Sequence, residues 1–206
     1  MNYWALGVKG VAEYTSYLTP VDGDLGKVTM IDDRVDIGSK PIRKSKSMLS
    51  GRRVNTEYLP TQVSCDGKVE AIGDLSIVLN RFSVSETFKA MVGEIAPDAV
   101  QLEPFEVVKG KQPNVQAVRY WFIPSVRLHA MHKQKTKPGF TENGFFQFDR
   151  PWSEQHIVFD ANITEGRPIF ATAEYPGIIF VSDAFVQAVN DAGLTGTDFQ
   201  WSFPAQ

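Results

Sequence analysis

Ile178-Ile-Phe-Val-Ser-Asp-Ala-Phe185, followed after one more helical turn by Ala192-Gly-Leu-Thr-Gly-Thr-Asp-Phe199, reads as strand, capped helix, glycine stop and strand. Ile178 to Val181 is short, apolar and rich in β-branched residues, as a buried strand requires. Ser182 offers an oxygen to the free backbone N–H groups of the next turn, and Asp183 complements the positive end of the helix dipole. Phe185, Ala188, Val189 and Ala192 fall at i, i+3, i+4 and i+7, one apolar stripe on one face. Gly193 stands where a left-handed helix stop belongs. The block specifies structure and carries no chemistry of its own.

Working outward, the segment from Phe82 to Phe105 repeats the pattern. Ser85, Phe88, Met91, Val92, Ile95 and Leu102 align with Ser182, Phe185, Ala188, Val189, Ala192 and Phe199 at one constant offset. Internal duplication and independent recurrence of a common strand–helix–strand unit both account for this. Further strands are expected at Tyr3 to Val8, Tyr14 to Leu18, Val28 to Ile31, Lys68 to Ile72, Leu75 to Leu79, Val115 to Ile123, Val126 to Met131, His156 to Asp160 and Ile169 to Glu174. Asn162 to Gly166 reads as a polar turn. Residues 36–66, dominated from Gly38 to Arg53 by Ser, Lys and Arg, read as a long loop. The expectation is one α+β domain over 1–206, an antiparallel-rich sheet with two short capped helices packed on it.

The chain has 206 residues, enough for one well-buried core. Twelve Pro and 16 Gly favour a turn-rich, sheet-rich architecture over a helical bundle. A formal charge of -3 lacks the basic excess of a dedicated nucleic-acid binder. Cys65 is the one cysteine, so no intrachain disulfide is possible. The opening Met1-Asn-Tyr-Trp-Ala-Leu-Gly-Val8 does not have the form of a signal peptide, and no apolar run approaches the ~20 residues that span a bilayer. A cytoplasmic location is expected.

His129 and His132 have an H-x-x-H spacing that would bind zinc from one helix face. The proline and strand before them favour extended chain, where i and i+3 point to opposite sides. Asp22, Asp24 and Asp33 do not follow a calcium loop, since Lys27 stands where glycine is needed. Cys65 in Val-Ser-Cys-Asp-Gly has no protease signature around it. The basic runs Arg43 to Lys46, Arg52-Arg53 and Lys133 to Lys137 read as solvated surface rather than a phosphate track. Gly139-Phe-Thr-Glu-Asn-Gly-Phe-Phe-Gln-Phe-Asp-Arg-Pro-Trp152 is different. Its aromatics interleave with Glu142, Asn143, Gln147, Asp149 and Arg150, the composition of a protein interface. Phe140, Phe145, Phe146, Arg150 and Trp152 are the candidate contact residues; inward-pointing Phe145 and Phe148 anchoring the loop is the competing reading.

Val181-Ser-Asp183, the helix after it, Ala192-Gly-Leu-Thr-Gly196 and the closing aromatic strand resemble the end of a bacterial immunity protein family, family eleven of polymorphic toxin systems, formerly a domain of unknown function. Phe82 to Lys89, Tyr120-Trp-Phe-Ile123 and Ile157-Val-Phe-Asp160 extend the resemblance in order, over roughly residues 74–203. Members often carry acidic residues just after the central strand, where this chain has Leu128-His-Ala-Met-His132. The resemblance implies an immunity protein whose partner is a cognate toxin, blocked by stoichiometric occlusion. It implies no enzyme activity, no catalytic residues and no cofactor. Neither a membrane nor a nucleic acid is the expected partner. The alternatives are an enzyme or small-ligand binder built on His129, His132 and Asp160, and a nucleic-acid-associated regulator using the basic loops.

Overall fold

The computed structural model describes residues 1–9, 18–31, 48–109, 114–147, 154–199 and 201–206. The first sheet runs in the order β13 (Ser202–Pro204), β1 (Asn2–Ala5), β11 (Ile179–Ser182), β10 (Ile169–Thr172) and β9 (Arg127–Leu128), antiparallel except between β9 and β10. The second runs β3 (Leu18–Pro20), β4 (Gln62–Cys65), β7 (Val100–Lys109), β8 (Val115–Pro124), β6 (Arg81–Val84) and β5 (Leu75–Val78), parallel only between β4 and β7. A ribbon pairs β2 (Gly7–Val8) with β12 (Thr197–Asp198). β3 and β5 end the second sheet, yet they approach each other, so the sheet curls toward a barrel. The architecture is α+β.

Two helices of similar length, α1 (Glu86–Ile95) and α3 (Asp183–Asp191), lie with one core between the sheets. Phe88, Met91 and Val92 of α1 meet Phe185 and Val189 of α3 there, with Phe82, Val84 and Phe122 from one sheet and Ile169, Ile179 and Val181 from the other. The Phe88 and Phe185 rings are 6.2 Å apart. Each is fully buried, a contribution of roughly 2–3 kcal/mol per side chain from area alone. The serines cap as their positions predict: Ser85 Oγ accepts from Phe88 N at 3.2 Å and Ser182 Oγ from Phe185 N at 3.3 Å. The aligned units therefore pack against one another through aligned phenylalanines.

The outer face of each sheet has its own core. Inside the curl lie Val63, Cys65, Phe105, Val107, Trp121 and Ile123. Beyond the five-stranded sheet, Tyr3, Phe170, Phe180 and Phe203 are covered by Ala130, Met131, Phe146, Ile157 and Phe159. Phe159 is the hub, its ring 4.9 Å from Phe180, 5.5 Å from Phe170 and 5.6 Å from Tyr3.

The Leu194-Thr-Gly196 turn docks on Gly73-Asp74. Asp74 accepts from Ser85 Oγ at 2.6 Å, Thr195 Oγ1 at 2.8 Å and Thr195 N at 2.9 Å. Burial raises its pKa, but these hydrogen bonds outweigh burial and hold it below the ordinary range. Gly196 has φ +84°, and a Cβ there would sit 2.1 Å from the Leu75 carbonyl oxygen, so only glycine fits. Arg119, buried inside the curl, donates through Nη2 to Gly73 O at 2.8 Å and Ser76 Oγ at 3.1 Å. Burial lowers its pKa to about 10, which leaves it cationic.

Several expected elements differ. Val69–Ala71 is a 3-10 turn, not strand, and Met30 makes one isolated bridge to Val54 rather than a strand from Val28 to Ile31. β4 lies inside the segment read as loop, because Val63 and Cys65 alternate inward with Gln62 and Ser64 facing out. Three isolated bridges, one at His156 and two at Phe159, replace the strand from His156 to Asp160. Asp160 instead caps α2 (Ala161–Thr164), accepting from Asn162 N at 2.9 Å, so the expected turn is a third, one-turn helix. Ala192 is exposed and leaves the stripe to Phe185, Val189 and half-buried Ala188. Asp183 does more than face the dipole: it accepts from Asn2 N at 2.7 Å and Trp4 Nε1 at 2.9 Å. Tyr14 to Tyr17 of the expected strand Tyr14 to Leu18, and the basic run Arg43 to Lys46, lie outside the described residues.

Candidate functional site

The segment from His129 to Gln147 lies over the outer face of the five-stranded sheet and ends in a small hairpin. Phe140 and Phe146 pair across it, and Gln147 N donates to Gly139 O at 3.0 Å. Its turn closes with Thr141 N to Phe145 O at 2.7 Å and Gly144 N to Thr141 O at 2.9 Å, with Gly144 at φ +81°. Thr141, Glu142, Asn143 and Gly144 are exposed. A short loop around a left-handed glycine suits a tip that must project without slack.

Anchoring falls to Phe146. It is 4% exposed, its ring 6.2 Å from Phe140 and 6.1 Å from Tyr175, and its backbone N–H donates to Glu174 O at 2.8 Å. Of the candidate contact residues, Phe146 is thus core, while Phe140 and Phe145 are half-buried at the surface. Among the described residues the inward anchor is Phe146 and not half-buried Phe145. Alternation explains it: Phe140 and Phe146 pair, so they share one face of the hairpin. Arg150 and Trp152, with Phe148, lie outside the described residues.

Beneath the hairpin is a group the sequence reading passed over. Glu174 continues β10 past Ala173 and is 5% exposed. Its Oε2 has no hydrogen-bond partner among the described residues. His129 Nδ1 stands 3.9 Å from Oε1. Burial drives the Glu174 pKa up from 4.5 to about 7; backbone N–H groups of Glu174 and Met131, then Lys133 and Arg127, pull it part of the way back. The signal was present in Ile169-Phe-Ala-Thr-Ala-Glu174, an acid closing a wholly buried run.

The proposed polar constellation does not assemble as His129, His132 and Asp160. Asp160 is engaged in its cap, His132 Nδ1 accepts from Gln134 N at 3.3 Å, and the acid near His129 is Glu174. Neither histidine lies in a helix; His132 N donates to Val158 O at 2.7 Å, and its carbonyl opens the turn to Thr136. Among the described residues no group of three or more His, Cys, Asp or Glu could hold a metal ion. Cys65 is a buried free thiol of the curled sheet. No helix of the described residues is long and apolar enough to cross a membrane.

An immunity protein family model, Imm11, matches residues 64–201. The chain belongs to the Imm11 immunity protein family. No curated protein matches it. The Imm11 match runs from β4 to just past β12 and so takes in both helix units, the Asp74–Thr195 junction and the whole covering segment. In Imm11 terms, Ser182-Asp183 and Leu194-Thr-Gly196, which carry the resemblance in sequence, are a helix cap, a tie to the first strand and a glycine close approach. They hold the fold together.

Proposed function

We propose that this chain is an immunity protein that binds a cognate bacterial toxin one-to-one and blocks its active site or substrate access, without catalysis or cofactor. Membership of the Imm11 family carries this reading. The hairpin supports it. A binding surface needs projecting side chains on a backbone that is ordered before the partner arrives, because ordering on contact subtracts from affinity. Residues 141–144 project, while Phe146 fixes them to an aromatic core. The contact is proposed at Phe140, Phe145, Arg150 and Trp152, with Phe146 as their support. The chain acts as one α+β unit, since both sheets share the core around Phe88 and Phe185, and it works in the cytoplasm.

Titration of toxin activity with purified immunity protein tests the mechanism. Protection should reach completion near equal amounts. Protection that continues far below equimolar would mean turnover and would rule out occlusion.

A further inference from the structure

Between Glu106 and Glu142 the chain carries seven Lys and Arg and none of its 24 acids. Four of those cations, Arg127, Lys133, Lys135 and Lys137, fall with His129 and His132 in the segment that covers the five-stranded sheet. Residues 132–137 are compact: Thr136 N donates to His132 O at 3.0 Å, and the Thr136 hydroxyl is locked inside against Val158. Thr136 is 1% exposed, so the turn is pinned while Lys133, Lys135 and Lys137 on either side face the solvent. Lys137 and His156 exchange backbone hydrogen bonds of 2.8 and 3.2 Å, which sets both side chains on one face of that pair. His132 and His156 thereby border the ridge.

Among the described residues, no carboxylate pairs with any of the three lysines; Lys135 Nζ rests on the neutral Gln206 Oε1 at 3.2 Å. The acids nearby are Glu142 at the hairpin tip, Glu154, Asp160 in its cap and Glu174 beneath. Elsewhere Lys27 pairs with Asp24 and Lys89 with Glu86. An unpaired cationic ridge on a pinned turn, in a chain of net charge -3, is a local reversal of sign beside the aromatic hairpin.

We infer that Lys133, Lys135 and Lys137 form the charged flank of the docking surface and receive an acidic protein face, a cluster of Asp and Glu side chains on the toxin. This rests on the immunity reading. A protein fits better than a nucleic acid because the cations end at an aromatic hairpin bearing Glu142, whose charge would repel a continuous phosphate track. The ridge acts chiefly on encounter, since exposed complementary charge raises association rates and is screened by salt.

The experiment uses the full chain, a catalytically inactivated toxin domain selected because the chain relieves its toxicity on co-expression, and a Lys133→Glu/Lys135→Glu/Lys137→Glu variant. Circular dichroism and melting should match wild type, since all three side chains are exposed. Association with the toxin domain should slow by about tenfold or more at low salt, and the salt dependence seen in wild type should flatten or reverse. Wild-type kinetics in the triple variant, with unchanged salt dependence, would overturn the ridge and leave the immunity reading standing. Loss of binding to a plain DNA duplex, with toxin association unchanged, would assign the ridge to nucleic acid and overturn it too. If the wild-type chain does not bind the toxin domain at all, the immunity reading falls and takes this inference with it. Should the triple variant melt early, Lys135→Glu and Lys137→Glu alone must each show a smaller effect of the same sign.

Discussion

The junction of Gly73-Asp74 with Thr195-Gly196 and the covering segment from His129 to Gln147 both tie distant stretches of chain together, and they treat polar groups in opposite ways. At the junction every oxygen of Asp74 is occupied, by Ser85 and by two donors of Thr195, and no room remains for a methyl group at Gly196. Beneath the covering segment the Glu174 carboxyl is buried with one oxygen unpartnered, and the three lysines of the segment make no salt bridge, among the described residues. The first pattern minimises free energy within the chain. The second leaves charge unspent inside the molecule, which is where an interaction with another molecule can still gain. The two regions belong to one family match, so shared membership does not make them equivalent.

The strongest way to break the comparison is Gly196→Ala. The new Cβ meets a backbone oxygen that cannot swing aside, and φ +84° adds strain, so the variant should lose roughly 4 kcal/mol or more. A soluble variant with a wild-type denaturation midpoint would show that the junction is looser than its geometry.

Glu174→Gln tests the other region. Because burial raises the folded-state pKa to about 7, the native chain holds more proton than the unfolded chain between pH 4.5 and 7. Stability from this group is therefore fully present below about pH 4.5 and is lost as pH rises through 7, on the order of 3 kcal/mol in all. The Gln variant should lack that slope and gain on wild type between pH 5 and pH 8. Parallel stability curves over this range would mean that the carboxyl is solvated in solution.

Arg150→Ala and Trp152→Ala sharpen the functional half. Each should weaken toxin binding by about 2 kcal/mol while melting stays near wild type, the signature of contact without structural duty. Variants that fold and bind as wild type would move the interface off this stretch and leave the lysine ridge to be judged alone.

The smallest effect is a contrast between twins. Ser182→Ala should cost about 1 kcal/mol for its cap. Ser85→Ala should cost more, since Ser85 Oγ both caps α1 and donates to Asp74. Equal losses in denaturant melts would mean that the Asp74 bond contributes nothing.

Local order was legible wherever short-range rules act. The caps at Ser85 and Ser182, the apolar face of Phe185 and Val189, and β8 up to Pro124 follow from spacing and propensity alone. The misses have two causes. β4, inside the segment read as loop, depends on its pairing with distant β7, which no window of sequence contains. The 3-10 turn at Val69–Ala71 and the cap at Asp160 are closed by neighbours, Lys68 O and Asn162 N, at positions where an apolar run also fits a strand. Of the candidate site, the hairpin's place and aromatic character were readable, but its anchor was not, because which phenylalanine turns inward depends on the Phe140–Phe146 pairing. Glu174 escaped notice for a similar reason. A single acid at a strand end is ordinary until another segment is laid over it.

β3 and β5, drawn toward each other by the curl, leave little room for a further strand at either end of the six-stranded sheet. In the other sheet, β13 is flanked by the bridge between Phe159 and Ala205. Open strand edges are templates on which identical chains stack into aggregates. Guarded edges at β3, β5 and β13 let the chain reach high concentration without becoming its own partner.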